Sequence, residues 1–279
     1  MKMQYCRGLR VGYIPYLNCV PFFHYLAELG FSGSIITGVP TALNHMLQIG
    51  EIDISPSSSF EYGQNYHDYV LLPGHSISAC GPVKSVLLFS PCPLDKLQNY
   101  KIAVTGDSAT SINLLRILLR EYVGIRRVDD FVPTTAVESL IAEKKPGLLI
   151  GDRAMVQAMN LPEGMHCFDL GELWLYYTGL PFVFALWILR RQSVQRLKSE
   201  VLDLQRLLGE SIGKALGDLA GLALKHGASP EELPFLVNYW QTIDYSLSPK
   251  HLQGLELYYR LCLKYKYLTD SPAIEFFQG

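Results

Sequence analysis

Two apolar runs about 100 residues apart constrain the fold of this chain more than any other feature. They are Pro82-Val-Lys-Ser-Val-Leu-Leu-Phe-Ser90 and Pro181-Phe-Val-Phe-Ala-Leu-Trp-Ile-Leu189. Both are rich in β-branched, aliphatic and aromatic residues, and each opens on a proline shortly after a glycine, so each reads as a buried strand. Each is flanked by a block patterned like a small α/β unit. The layout predicts two lobes joined by two crossover strands, with the chain leaving the first lobe along one run and returning along the other. The expected division is residues 1–88 and 186–279 for one lobe and 89–185 for the other. A ligand is then expected in the cleft between them, beside Ser85 and Phe182.

Within the first block, Leu9–Ile14, Ser34–Thr37 and Ile52–Ile54 read as strands. Helices are expected over Pro21–Glu28 and from Pro40 to Gly50, with proline in the first turn where its missing N–H costs nothing. This βαβαβ order predicts a parallel sheet covered by helices. Ligands of such sheets gather at the carboxyl ends of the strands. Two polar turns fall there, Pro15-Tyr16-Leu-Asn18 and the hydroxyl-rich Ser55-Pro-Ser57-Ser58-Ser59.

The second block repeats the pattern. Strands are expected at Lys101–Val104, Arg127–Val132, Leu148–Ile150 and Cys167–Phe168, and a helix from Ile112 to Tyr122. The last third reads as helical. One long helix is expected over Ser193–Lys225, with Gly209, Gly213 and Gly217 as weak points. Ser229-Pro-Glu-Glu232 and Ser248-Pro249 open two more, and the tail from Asp270 is loose or docked.

The strand-to-helix turn Thr105-Gly-Asp-Ser108-Ala-Thr110-Ser111 places hydroxyls at a helix start, where free N–H groups and the helix dipole favour a carboxylate or phosphate. The same stretch also reads as an ordinary helix cap, and so does Ser57-Ser58-Ser59. It lacks the Gly-Lys-Ser/Thr of a P-loop. The amide of Asn18 both donates and accepts, although Asn is equally at home in a turn. Asp152 after Gly151 is a cap or a cleft carboxylate, and Thr178-Gly179 is a turn or part of the cleft.

Composition removes several functions. With 49% hydrophobic and 18% charged residues in 279, the chain is globular rather than disordered. A net charge of −2 without a basic run argues against a general nucleic-acid binder. No pair of the six cysteines has C-x-x-C spacing, and the seven histidines show no metal spacing, so no metal or organic cofactor is expected. The cysteines are expected to be buried, reduced thiols. The basic N-terminus is not followed by an apolar signal core, and no apolar run approaches the roughly 18 residues of a membrane span. These features predict a cytoplasmic protein with no membrane partner.

Residues 9–190 carry a set of motifs in a familiar order: Pro15-Tyr-Leu-Asn18, Ile52-Asp-Ile54 with its serines, Glu61-Tyr62, Leu72-Pro-Gly74, Gly81–Ser90, Ser108-Ala-Thr-Ser111, Ile150-Gly-Asp152, Asp169-Leu-Gly171, Trp174, Thr178-Gly-Leu-Pro-Phe-Val-Phe184 and Trp187. In these the chain resembles the menaquinone-biosynthesis family that includes chorismate dehydratase of the futalosine route. The resemblance implies the fold of type II periplasmic binding proteins used as an enzyme, a carbon–oxygen lyase that removes water from chorismate to give 3-[(1-carboxyvinyl)oxy]benzoate. It implies Asn18 and Ser85 as catalytic residues, the enolpyruvyl carboxylate as base, and Asp152 as the next candidate base. Substrate contacts are expected from Tyr16, Ser57, Ser58, Ser108, Thr110, Ser111, Asp152, Thr178, Gly179 and Phe182. The alternatives are the paralogous 1,4-dihydroxy-6-naphthoate synthase and a non-catalytic solute-binding protein for a small carboxylate.

Overall fold

The computed structural model describes residues 8–106, 109–125 and 131–279, and its strands form two sheets. The first sheet starts with Arg10–Tyr13 (β1). A 3-10 turn over Leu17–Cys19 leads into the single helical turn Val20–Phe23 (α1), and the chain then continues in tight turns rather than the longer helix expected. Ser34–Thr37 (β2) pairs parallel to β1, and Pro40–Ile49 (α2) ends at Gly50, whose φ of +79° is a conformation glycine adopts without strain.

Ile54–Ser58 (β3) lies later in sequence than the expected strand and takes the serines into the sheet. It pairs with β1 at Val11–Ile54. Beyond that point this edge is open, so the missing N–H of Pro56 leaves no ladder bond broken. Ser59–Asn65 (α3) follows, capped by Ser58, and then Tyr69–Ala79 (β4). The Pro73-Gly74 pair hides β4 in the sequence. The pairing register slips beside it, and the tail docks there, with Leu71 N–H donating to Glu275 O and Phe277 N–H to Leu71 O, both at 2.8 Å.

The second sheet comprises Val86–Ser90 (β5), Ile102–Val104 (β6), Phe131–Pro133 (β7), Gly147–Ile150 (β8) and His166–Asp169 (β9), in the order β7-β6-β8-β5-β9. Helices Ala109–Ile117 (α4), Val137–Ala142 (α5), Gly151–Met159 (α6) and Leu170–Thr178 (α7) connect and cover it. Phe182–Arg190 (β10) then returns to the first sheet, between β4 and β3.

Two crossings join the sheets, as expected, but they take in only the first residues of the two apolar runs and end before β5 and β10 begin. β5 is paired on both edges within the second sheet, and β10 on both edges within the first. A strand hydrogen-bonded on both sides belongs to one sheet, so the crossings are residues 80–85 and 179–181. The borders drawn at 88/89 and 185/186 fall inside β5 and β10.

The last third runs Lys198–Gly217 (α8), Leu219–Lys225 (α9), Leu233–Thr242 (α10), Asp244–Ser246 (β11) and Pro249–Lys264 (α11). The long helix breaks at the last of its three glycines, where Asp218 Oδ1 accepts from Gly221 N–H at 2.8 Å and starts α9. β11 adds to β4 and completes the six-stranded order β11-β4-β10-β3-β1-β2. Among the described residues no helix is long and apolar enough to cross a membrane.

Three contacts hold the lobes in place. Asp169 caps α7 and also holds the first crossing: Oδ1 accepts from Val83 N–H at 3.1 Å and Oδ2 from Lys84 N–H at 2.6 Å. Two glycines let helices approach the crossings. A Cβ at Gly171 would lie 2.6 Å from Gly81 O, and one at Gly254 only 2.1 Å from Pro181 O. Thr110 Oγ1, at the start of α4, accepts from Phe60 N–H on α3 at 2.9 Å, while Tyr258 and Tyr259 of α11 donate to Thr110 O and Ser59 O.

Candidate functional site

Where the lobes meet lies a half-open cavity of about 90 Å³. The turn after β1 contributes Tyr16, Asn18 and Cys19, and the end of β3 contributes Pro56 and Ser58. The first crossing and β5 supply Val83, Ser85 and Val86, the first turn of α4 supplies Ser111, and the β8–α6 junction supplies Ile150 and Gly151. Ile14, Pro40, Ile77, Phe184 and Ala185 complete the wall.

The polar groups are neutral. Among the described lining residues there is no Lys, Arg, His, Asp or Glu side chain. Asn18 Oδ1 is buried without a hydrogen-bond partner. Leaving such an atom unpaired costs about 1–3 kcal/mol, so a ligand donor that meets it recovers that energy. Ser58 Oγ accepts from Glu61 N–H at 3.2 Å as the α3 cap, which leaves its O–H able to donate into the cavity. Ser85 Oγ accepts from Tyr239 Oη at 3.0 Å and donates to Val83 O at a long 3.3 Å. Gly151 N–H fixes the Ser85 carbonyl at 2.7 Å, and Gly151 itself has φ +63° beside the Tyr16 ring. An amide, several hydroxyls and a helix start facing an otherwise apolar chamber suit a carboxylate-bearing ring more than a metal ion.

Of the sequence-predicted residues, Tyr16, Asn18, Ser58, Ser85 and Ser111 come together at this cavity. The others lie elsewhere. Ser57 is buried but does not line the chamber, because side chains alternate along β3 and Ser58 faces it. Thr110 spends its hydroxyl on the α3–α4 contact. Asp152 sits one position behind Gly151, and its Oδ1 accepts from Leu17 N–H at 3.5 Å; burial raises its pKa. Thr178 Oγ1 donates to Trp174 O at 2.7 Å and accepts from Leu180 N–H, and Gly179 is the left-handed C-cap of α7, so both shape the second crossing. Phe182 is 1% exposed and packs edge-on against Trp174 and Tyr258, and the next same-face residue on β10, Phe184, meets the cavity instead. Ser108 lies outside the described residues. Of the described thiols, Cys19 and Cys262 are buried as expected, whereas Cys80 and Cys167 are exposed.

Among the walls that sequence reasoning missed are the apolar Pro40, Ile77 and Phe184. β4 was not recognised at all, so Ile77 carried no signal. Phe184 belonged to a motif already noted, and it sits at the register shift between Val183 and Ala185, which no sequence pattern announces.

Comparison with known proteins bears on the family and the fold. A model of the menaquinone biosynthesis family matches residues 9–264. A chorismate dehydratase of Thermus thermophilus is 33% identical over 234 residues, covering 76% of this chain and 83% of that protein. The crystal structure of an Archaeoglobus fulgidus protein superposes with a TM-score of 0.72 at 19% identity, covering 95% of this chain and 100% of that one. An alkanesulfonate-binding protein of Xanthomonas axonopodis pv. citri, bound to MOPS, gives 0.71 at 17% identity with 96% of each chain covered. At these identities the structural likeness speaks for the fold alone, which is periplasmic-binding-protein-like.

Proposed function

Since the chain belongs to the menaquinone biosynthesis family, we propose that it is a chorismate dehydratase, a lyase releasing 3-[(1-carboxyvinyl)oxy]benzoate and water. The observation that carries this reading is that Asn18 and Ser85 line one chamber whose described side chains are uncharged, joined to the dehydratase identity of a relative at 33%.

In this reaction the C–H bond at the ether-bearing ring carbon and the neighbouring C–OH bond break. The C–H electrons become the last ring double bond, and the proton and hydroxide leave as water. The ring carboxylate activates the hydrogen through the diene, and aromaticity drives the step. Charge gathers on that carboxylate in the transition state, so donors fixed around it lower the barrier. The Ser58 and Ser111 hydroxyls and the start of α4 are the donors in reach of the chamber. Asn18 orients the diene and helps the leaving hydroxyl, with Ser85 as the second polar contact. The proton is taken by the substrate's own enolpyruvyl carboxylate and passed to the departing hydroxide, so that water leaves. In support of that assignment, the described lining residues carry no side-chain carboxylate or imidazole, and Asp152 lies behind them.

Purified protein incubated with chorismate is expected to yield the aromatic product, followed by absorbance and mass. Asn18→Ala and Ser85→Ala are each expected to lower kcat/KM by roughly a hundredfold, the scale of losing one placed polar group at the reacting centre. Thermal stabilisation by chorismate without any product would leave a solute-binding protein and overturn the lyase assignment.

A further inference from the structure

Helix α10 ends in adjacent side chains that reach both proposed catalytic residues from behind. Tyr239 is 1% exposed and Trp240 is fully buried, and neither lines the chamber. The Tyr239 hydroxyl donates to Ser85 Oγ at 3.0 Å. The Trp240 indole N–H donates to the carbonyl of Leu17, the residue before Asn18, at 2.7 Å. One residue earlier, Asn238 Oδ1 accepts from Lys84 Nζ, next to Ser85. One short segment of helix thus touches the turn after β1 and the first crossing together.

We propose that Tyr239 and Trp240 are positioning residues that set Ser85 and Asn18 in register with each other; this rests on reading those two as the substrate-facing pair. The chemistry is directional. A phenol has one hydrogen, and here it goes to Ser85 Oγ, so the serine's own hydrogen must point elsewhere. Its protein acceptor, Val83 O, is at 3.3 Å, a long bond for an O–H donor. A ligand oxygen in the chamber therefore competes for that hydrogen at little cost, and the bond received from Tyr239 strengthens the one Ser85 gives. Trp240 acts on geometry alone. By fixing the Leu17 carbonyl it fixes the 3-10 turn, and with it the direction of an Asn18 amide whose oxygen has no partner to hold it. Cys19, on the same turn, is buried, and that burial raises the pKa of its thiol.

The test is a pair of double-mutant cycles on turnover of chorismate. Tyr239→Phe keeps the ring and removes the hydroxyl. It is expected to lower kcat about tenfold, with KM within about threefold, the scale of one well-placed hydrogen bond. In a Ser85→Ala background it should cost nothing further. Trp240→Phe is expected to behave the same way with Asn18→Ala, and Trp240→His, which restores a ring N–H, should recover part of the loss. Losses that multiply in both double mutants would overturn the proposal, since they would mark general structural damage. If Trp240→Phe does not fold, the Tyr239 cycle decides alone. A wild-type protein inert on chorismate would overturn the function reading instead. Amide exchange then judges the brace without substrate: faster exchange confined to residues 16–19 and 83–86 supports it, and an unchanged pattern there refutes it.

Discussion

Asn18 and Ser85 face the same chamber, yet their surroundings prepare them differently. Ser85 is satisfied on the protein side, whereas Asn18 has a buried carbonyl oxygen that nothing in the described protein meets. Asp152 is the neighbouring carboxylate that competes for the role of base. Its place behind Gly151 predicts that Asp152→Asn keeps kcat within about threefold, whereas a true general base contributes 10²–10⁴-fold. Initial rates with saturating chorismate separate the two. At this scale much of the site was legible. Asn18 follows a strand at its carboxyl edge, Ser85 precedes another, and each residue type suits a neutral donor site. Ser57, Thr110 and Phe182 were read as site residues because composition does not say which face a strand turns to the cleft. It also does not say whether a hydroxyl is already spent on a backbone N–H.

Helix ends and close approaches decide which elements hold the crossings. Gly254 lies inside α11, where alanine would ordinarily gain about 1 kcal/mol of helix propensity. A Cβ there meets a backbone carbonyl at 2.1 Å, which cannot rotate away. The clash is expected to win, costing about 1–3 kcal/mol, so Gly254→Ala should lower Tm in a thermal melt. The β11–α11 corner has its own pH dependence. Mainly through His251, whose ring lies 3.2 Å from Asp244 Oδ2, the Asp244 pKa falls from 3.8 to about 2. A carboxyl depressed on folding stabilises the native state above its unfolded value, and that contribution disappears as pH falls through the folded one. The Tm advantage of wild type over Asp244→Asn is therefore expected to be present at pH 5 and to vanish between about pH 4 and 2. Most helices were legible from prolines, serine caps and apolar spacing. β4 and β11 were not, because Pro73-Gly74 interrupts the first, and the second is a three-residue edge strand directly after a helix.

The whole molecule presents a chamber of about 90 Å³. An engineered void of about 150 Å³ is what admits benzene in another protein, so seating a ring that bears two carboxylates between the lobes calls for more room than this chamber offers. Opening at residues 80–85 and 179–181 is the expected route, a hinge motion of element-terminal residues. Small-angle scattering should give a larger radius of gyration without chorismate than with it; superimposable profiles would count against the hinge.

Local information, then, was enough for two α/β units, their helix starts, and the polar turns at the strand ends. Those depend on residues a few positions apart, through backbone preferences and apolar period. The partner of each strand edge, the exact crossing points, and the meeting of Asn18, Ser85, Tyr239 and Trp240 were decided by tertiary structure. These contacts join residues as many as 223 positions apart, Leu17 and Trp240 being the widest, and no local propensity encodes which distant donor a buried oxygen will meet.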